Sequence, residues 1–132
     1  MNPKVFMVLR IILGLFVLVF GLNKFFEFLP APEGMSEEAM AYFGALVNSK
    51  TMVLVAIVEI VAGLALILNK FGALLALILM SVSVNAVLFH AVLDQANIAG
   101  ALVLLVLNIA VLYGYKDRFK SLTYTNLLNN NE

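Results

Sequence analysis

The sequence predicts an all-α membrane protein: an antiparallel bundle of four transmembrane helices with a short amphipathic helix in the first connection. Three observations predict it. Four apolar stretches, residues 5–22, 51–68, 71–93 and 98–115, each approach the ~20 residues a helix needs to cross a bilayer's hydrocarbon core. Hydrophobic residues make up 64% of the 132 positions and charged residues 12%, with a mean hydropathy of +1.06. A domain this small keeps a high surface-to-volume ratio and cannot hide so much apolar surface from water. The connections between the second and third stretches, and the third and fourth, are too short for anything but antiparallel neighbours. The chain therefore reads as one integral-membrane domain over residues 1–132.

Taken in order, residues 5–22 carry Lys4 and Arg10 at their basic end and could be mistaken for a secretory signal. Asn23-Lys24-Phe25-Phe26-Glu27 follows, without the small-residue site such a signal needs, so the stretch is read as a retained first helix. Pro30, Pro32 and Gly34 then break the chain. Ser36 is an N-cap candidate, with Glu37 and Glu38 in the favoured first turn. Met40, Phe43 and Val47 recur at helical spacing, so residues 36–47 are expected to form a short amphipathic helix across the outer mouth of the bundle. A plain interfacial connector fits the pattern equally well. Beyond the fourth stretch, Tyr113 and Tyr115 read as membrane-interface aromatics, and Lys116, Arg118 and Lys120 as headgroup anchors. Residues 121–132 read as a flexible tail.

Charge gives an orientation. Lys4, Arg10, Lys70, Lys116, Arg118 and Lys120 fall on one side of the four spans. The other side has only Lys24 and Lys50, beside Glu27, Glu33, Glu37, Glu38 and Asp94. Basic residues near span ends stay cytoplasmic, which places both termini inside. The zero net charge argues against nucleic acid as a partner. Without cysteine the chain has no disulfide exchange, thiolate metal site or iron–sulfur cluster. With His90 as its one histidine it cannot ligate haem through two imidazoles, and no zinc ligand set is visible.

Function is then sought in the polar residues inside the spans, because an unpaired ionised side chain there costs at least ~2.5–3.5 kcal/mol. Arg10, Gly14, Val17, Gly21 and Lys24 step by four and three along one stripe of the first helix, whose glycines permit close approach of another backbone. Arg10 and Lys24 are long enough to snorkel to the two interfaces. Glu59 is the sharper signal, since so short a carboxylate at mid-span cannot reach water. Met52, Ala56, Gly63 and Leu66 share its face. It requires either protonation or a cation such as Arg10 or Lys24. It reads as a structural ion pair, or as a proton relay or ligand contact. Asn85 and His90, five residues apart, point about 140° away from each other. Asn85 is the better core candidate. His90 precedes Asp94 by one turn and suits an interfacial hydrogen bond, although an imidazole can also serve a proton path. Asn108 suits an interhelical hydrogen bond. Phe16, Phe20, Phe25, Phe26 and Phe28 either line a flat apolar slot or simply face lipid.

Arg10-x-x-x-Gly14, Gly21-Leu22-Asn23-Lys24-Phe25, Val58-Glu59-Ile60-Val61-Ala62-Gly63-Leu64 and Asn69-Lys70-Phe71 follow one another along the chain, and in that order they resemble the DoxX family of small bacterial four-span membrane proteins. The stretch Asn85 to His90 with Asp94, and Tyr113-Gly114-Tyr115-Lys116-Asp117-Arg118, belong to the same set. The resemblance implies a four-helix bundle in the bacterial inner membrane. The family's name comes from a membrane subunit associated with a quinone-reducing sulfur oxidoreductase, so it also implies a quinone- or redox-linked accessory role. It supplies no catalytic residues, and the chain carries no redox centre of its own.

Three functions compete at this stage. The first is a membrane subunit that binds a lipophilic molecule, with quinone as the candidate, between helices near Glu59, Lys24 and Asn85. The second is a non-enzymatic scaffold for a partner oxidoreductase, or a homo-oligomer, in which Arg10 and Glu59 only hold the bundle together. The third, ranked last for want of broken half-helices, is a proton or small-solute transporter relaying through Glu59 and His90.

Overall fold

In the computed structural model, which describes residues 1–123, helix α1 (Pro3–Phe26) opens on Asn2. The Asn2 side-chain oxygen accepts from the backbone N–H groups of Lys4 and Val5, and Pro3 fills the first helical position, where no N–H is needed. The helix outlasts its apolar stretch and stops at Glu27, which turns into the left-handed region (φ 50°) and returns its N–H to the Asn23 carbonyl. Asn23 also accepts from the Leu29 N–H at 2.7 Å. Lys24 is thereby carried in the last helical turn rather than in a loop.

Helix α2 (Glu37–Asn48) is capped as its sequence indicates, with Ser36 accepting from the Ala39 N–H at 3.1 Å. Its packing is less expected. Ala39 is fully buried against the bundle, whereas Met40, Phe43 and Val47 are exposed. A small residue at the contact point lets the α2 backbone approach α3 and α4 closely. Met40 and Val47 lie about 80–100° round the helix from Ala39 and so form an open flank. The amphipathic stripe therefore does not seal the bundle's mouth. Tyr42 on the opposite flank stacks on Phe89 at 5.5 Å between ring centroids.

Helices α3 (Thr51–Leu68), α4 (Gly72–Leu93) and α5 (Ile98–Gly114) follow. Asn69 ends α3 in the left-handed region, and the N–H groups of Asn69 and Lys70 both return to the Ala65 carbonyl. A 3-10 turn, Gln95–Asn97, leads into α5. A second one, Lys116–Phe119, runs into the single helical turn α6 (Lys120–Thr123). Most of the tail expected over residues 121–132 lies outside the described residues.

Around the bundle α1 packs on α3, α3 on α4, α4 on α5 and α5 back on α1. Every neighbouring pair is antiparallel, the up-down-up-down arrangement expected of short connections. Four helical segments of 24, 18, 22 and 20 residues, the last counted from Gln95, have mean hydropathies of 2.2–2.8 and are long and apolar enough to cross a bilayer. The protein is a multi-pass integral membrane protein. Its core is small: Leu13, Val17, Leu66, Leu79 and Val111 are fully buried along the axis. Tyr115 joins them, against its reading as an interface aromatic. Its ring meets Phe6 edge-on at 4.8 Å, its hydroxyl donates to Asn69 Oδ1 at 2.7 Å, and Gly72 leaves room for it. Tyr113 remains exposed, with the Lys116 ammonium 4.6 Å above its ring.

Candidate functional site

The site begins with two backbones pressed together. A Cβ on Gly14 would sit 3.0 Å from the Gly63 carbonyl oxygen, and one on Gly63 only 2.8 Å from the Gly14 oxygen. Farther along the seam a Cβ on Gly21 would lie 3.0 Å from Glu59 Cβ and 3.1 Å from the Ala56 carbonyl oxygen. The glycine stripe of α1 thus meets the small-residue face of α3, as the spacing predicts.

That contact fixes Glu59 opposite Gly21, one turn from Lys24. Glu59 is 3% exposed, and Lys24 Nζ reaches Glu59 Oε1 at 2.6 Å. The two candidate cations are thereby resolved: Lys24 pairs with the carboxylate and Arg10 does not. The pair is lopsided. The Glu59 side chain is enclosed, whereas that of Lys24 keeps 23% of its surface open, and its ammonium also lies 3.4 Å from the Phe20 carbonyl oxygen. The site therefore holds a compensated charge within the membrane, with the Lys24 side chain at its open edge. Phe16 and Phe20 pack on each other at 4.7 Å, while Phe25, Phe26 and Phe28 point outward, so the five phenylalanines do not line one slot.

Arg10 does different work at the other end of the same seam. The last carbonyls of a helix have no partner within it. Ala65 receives the returning N–H groups of Asn69 and Lys70; the next two carbonyls, Leu66 and Ile67, accept from the Arg10 guanidinium. A cation there also meets the negative end of the α3 dipole. Arg10 Nε is buried without a partner among the described residues. Beside it, the buried Tyr115 hydroxyl donates to Asn69 Oδ1.

The remaining sequence candidates are dispersed. Asn108 is fully buried and bridges α5 to α4, accepting from Ser83 Oγ at 2.7 Å and donating to the Ala76 carbonyl at 2.9 Å. His90 Nδ1 lies 3.1 Å from Asp94 Oδ2. The buried Asp94 carboxylate also accepts from Asn97 Nδ2, which donates to the Glu33 carbonyl as well. Ser36 Oγ donates to the Leu93 carbonyl at 2.8 Å. These contacts strap the first connection onto the α4–α5 turn. Asn85 departs from expectation: it is exposed on the outer face of α4 and donates to its own helix at the Ser81 carbonyl. Ser83, two residues earlier and on the opposite side, takes the core position instead. Among the described residues no three metal-ligating side chains converge.

Sequence reasoning missed Tyr115, Asn69 and Ser83. Ser83 had a faint signal, since it shares a face with Ala76 and Leu79 at helical spacing.

No curated protein and no solved structure matches the chain. A family model does, over residues 5–91, from the start of the first span to the last turn of α4. It therefore takes in Arg10, Lys24, Glu59, Asn85 and His90, and stops short of α5. With two thirds of its length matched and four apolar helices in sequence, the chain belongs to the DoxX family.

Proposed function

We propose that the protein is a redox-linked accessory subunit that binds a lipophilic molecule of the quinone class beside the α1–α3 seam. The observation that carries this reading is the Lys24 side chain, paired within the membrane to an enclosed carboxylate yet partly open at the bundle's edge. A quinone carbonyl approaching from the lipid would find a charged donor there, and apolar walls for its ring and tail. Asn85 faces away and is no part of this contact. The inner membrane is the proposed location, with both termini cytoplasmic, supported by Lys4, Arg10, Lys70, Lys116, Arg118 and Lys120.

Binding of a short-chain quinone to the protein in nanodiscs tests the reading. Lys24→Met is expected to weaken binding at least about tenfold, the worth of one charge-assisted hydrogen bond. Equal affinity in wild type and Lys24→Met would refute it. A second reading, a non-enzymatic scaffold for a partner oxidoreductase, is favoured by the backbone-tight packing around Glu59. Under it no quinone binds at all, and the seam substitutions change stability alone.

A further inference from the structure

The outward faces of the four spanning helices are not equivalent. Between their terminal turns, α1 exposes Val8, Ile12, Leu15 and Val19, α3 exposes Leu54, Ile57, Val61 and Leu64, and α5 exposes Leu102, Val103, Val106 and Ile109. None of these positions is polar. On α4 the exposed row runs Leu74, Ile78, Ser81, Asn85, Leu88 and Val92, in steps of four and three. Its two polar members straddle the middle of a helix that spans Gly72–Leu93, and so stand near the centre of the bilayer.

The two differ in how well they are satisfied. The Ser81 hydroxyl donates to the Ile78 carbonyl at 2.8 Å. Asn85 spends one N–H on the Ser81 carbonyl at 2.7 Å, and among the described residues its amide oxygen and second N–H have no partner. Lipid tails offer neither donor nor acceptor, so an amide left this way is unfavourable at that depth. A neighbouring helix carrying both a donor and an acceptor would complete it.

We infer that α4 is a homodimer seam, in which the Asn85 amide pairs with the same amide of a second copy. Two copies inserted with the same topology are related by an axis along the membrane normal. Their α4 helices therefore run parallel and equal residues meet at equal depth. A carboxamide is self-complementary under such an axis, because each oxygen faces the other's N–H, which satisfies the isologous requirement of a twofold interface. One central asparagine fixes the register of a parallel helix pair. Leu74, Ile78, Leu88 and Val92 supply the apolar contacts on either side. The inference stands apart from the proposed quinone contact, which lies on α1 and α3.

The chain's lack of cysteine makes the test clean. Single cysteines are placed at Ser81 and Leu88, with Leu54 on α3 and Val106 on α5 as controls, and membranes are oxidised with copper phenanthroline. Disulfide-linked dimers are expected at the α4 positions and not at the controls, since a bridge needs Cβ atoms about 4 Å apart. In parallel, Asn85→Leu is expected to weaken dimerisation in liposomes, read by energy transfer, roughly three- to twentyfold per hydrogen bond lost. Cross-linking equal on all faces, or absent from α4, would overturn the inference. So would a photo-cross-linker at Leu88 that captures a different polypeptide and no second copy, or dimerisation unchanged by Asn85→Leu.

Discussion

The Lys24–Glu59 pair yields an asymmetric prediction that can be worked from the geometry. At 2.6 Å the gross attraction is about 6 kcal/mol for an effective dielectric constant of about 20. Desolvation offsets most of it, so the informative quantity is what each half costs when left alone. Lys24→Met strands a carboxylate that is 3% exposed and too short to reach either interface; such a broken pair typically costs about 3–5 kcal/mol. Glu59→Gln strands an ammonium whose side chain is already 23% exposed and sits within three residues of the helix end. That ammonium can swing to the interface, so its loss is expected nearer about 1–2 kcal/mol. The double variant Lys24→Met/Glu59→Gln leaves no stranded charge and is expected to be more stable than Lys24→Met alone. Unfolding in mixed detergent micelles, run as a double-mutant cycle, measures all three. Equal costs for the two single variants, or coupling within about 0.5 kcal/mol of zero, would refute the assignment of Lys24 as the obligatory counter-ion.

Other expectations follow from the packing. Gly14→Val should force α1 off the Gly63 backbone, costing at least about 1–3 kcal/mol and lowering the midpoint of thermal unfolding in detergent. Asn108→Leu removes two interhelical bonds and should cost about 1 kcal/mol in the same assay, with Ser83→Ala/Asn108→Leu no worse than the single change. Tyr115→Phe keeps the ring on Phe6 but frees Asn69. About 1 kcal/mol is expected to be lost, with faster hydrogen exchange at the α3–α4 turn. Alkaline phosphatase fused after Asn48 should be active and a fusion after Lys70 inactive, if the basic face is cytoplasmic.

How much was legible in the sequence differs from helix to helix for a physical reason. In a soluble bundle, apolar periodicity tells which face is inside; in a membrane both faces are apolar, so only small and polar residues carry rotational information. α1 and α3 have both kinds: Gly14, Gly21 and Gly63 announce the seam, and Glu59 must be on it. Asn108 was legible because α5 has no competing polar residue in its centre. α4 has Ser81, Ser83 and Asn85 within five positions, and the larger amide draws attention. The side facing inward is decided by what Asn108 offers across the interface, which no reading of α4 alone can supply. Arg10 and Lys24 were both legible as stripe members, but their partners depend on how far α1 slides along α3, a translation the residue types leave open.

The placement of Arg10 and Lys24 has a consequence for biogenesis. Of the three cations of α1, Arg10 and Lys24 find their acceptors on α3, one at its final carbonyls and the other at its central carboxylate, while Lys4 stays in the first turn. α1 precedes α3 along the chain and so leaves the ribosome ahead of either acceptor. The first helix therefore enters the bilayer with two unmatched positive charges, and its insertion is completed only when the second spanning segment arrives to receive them.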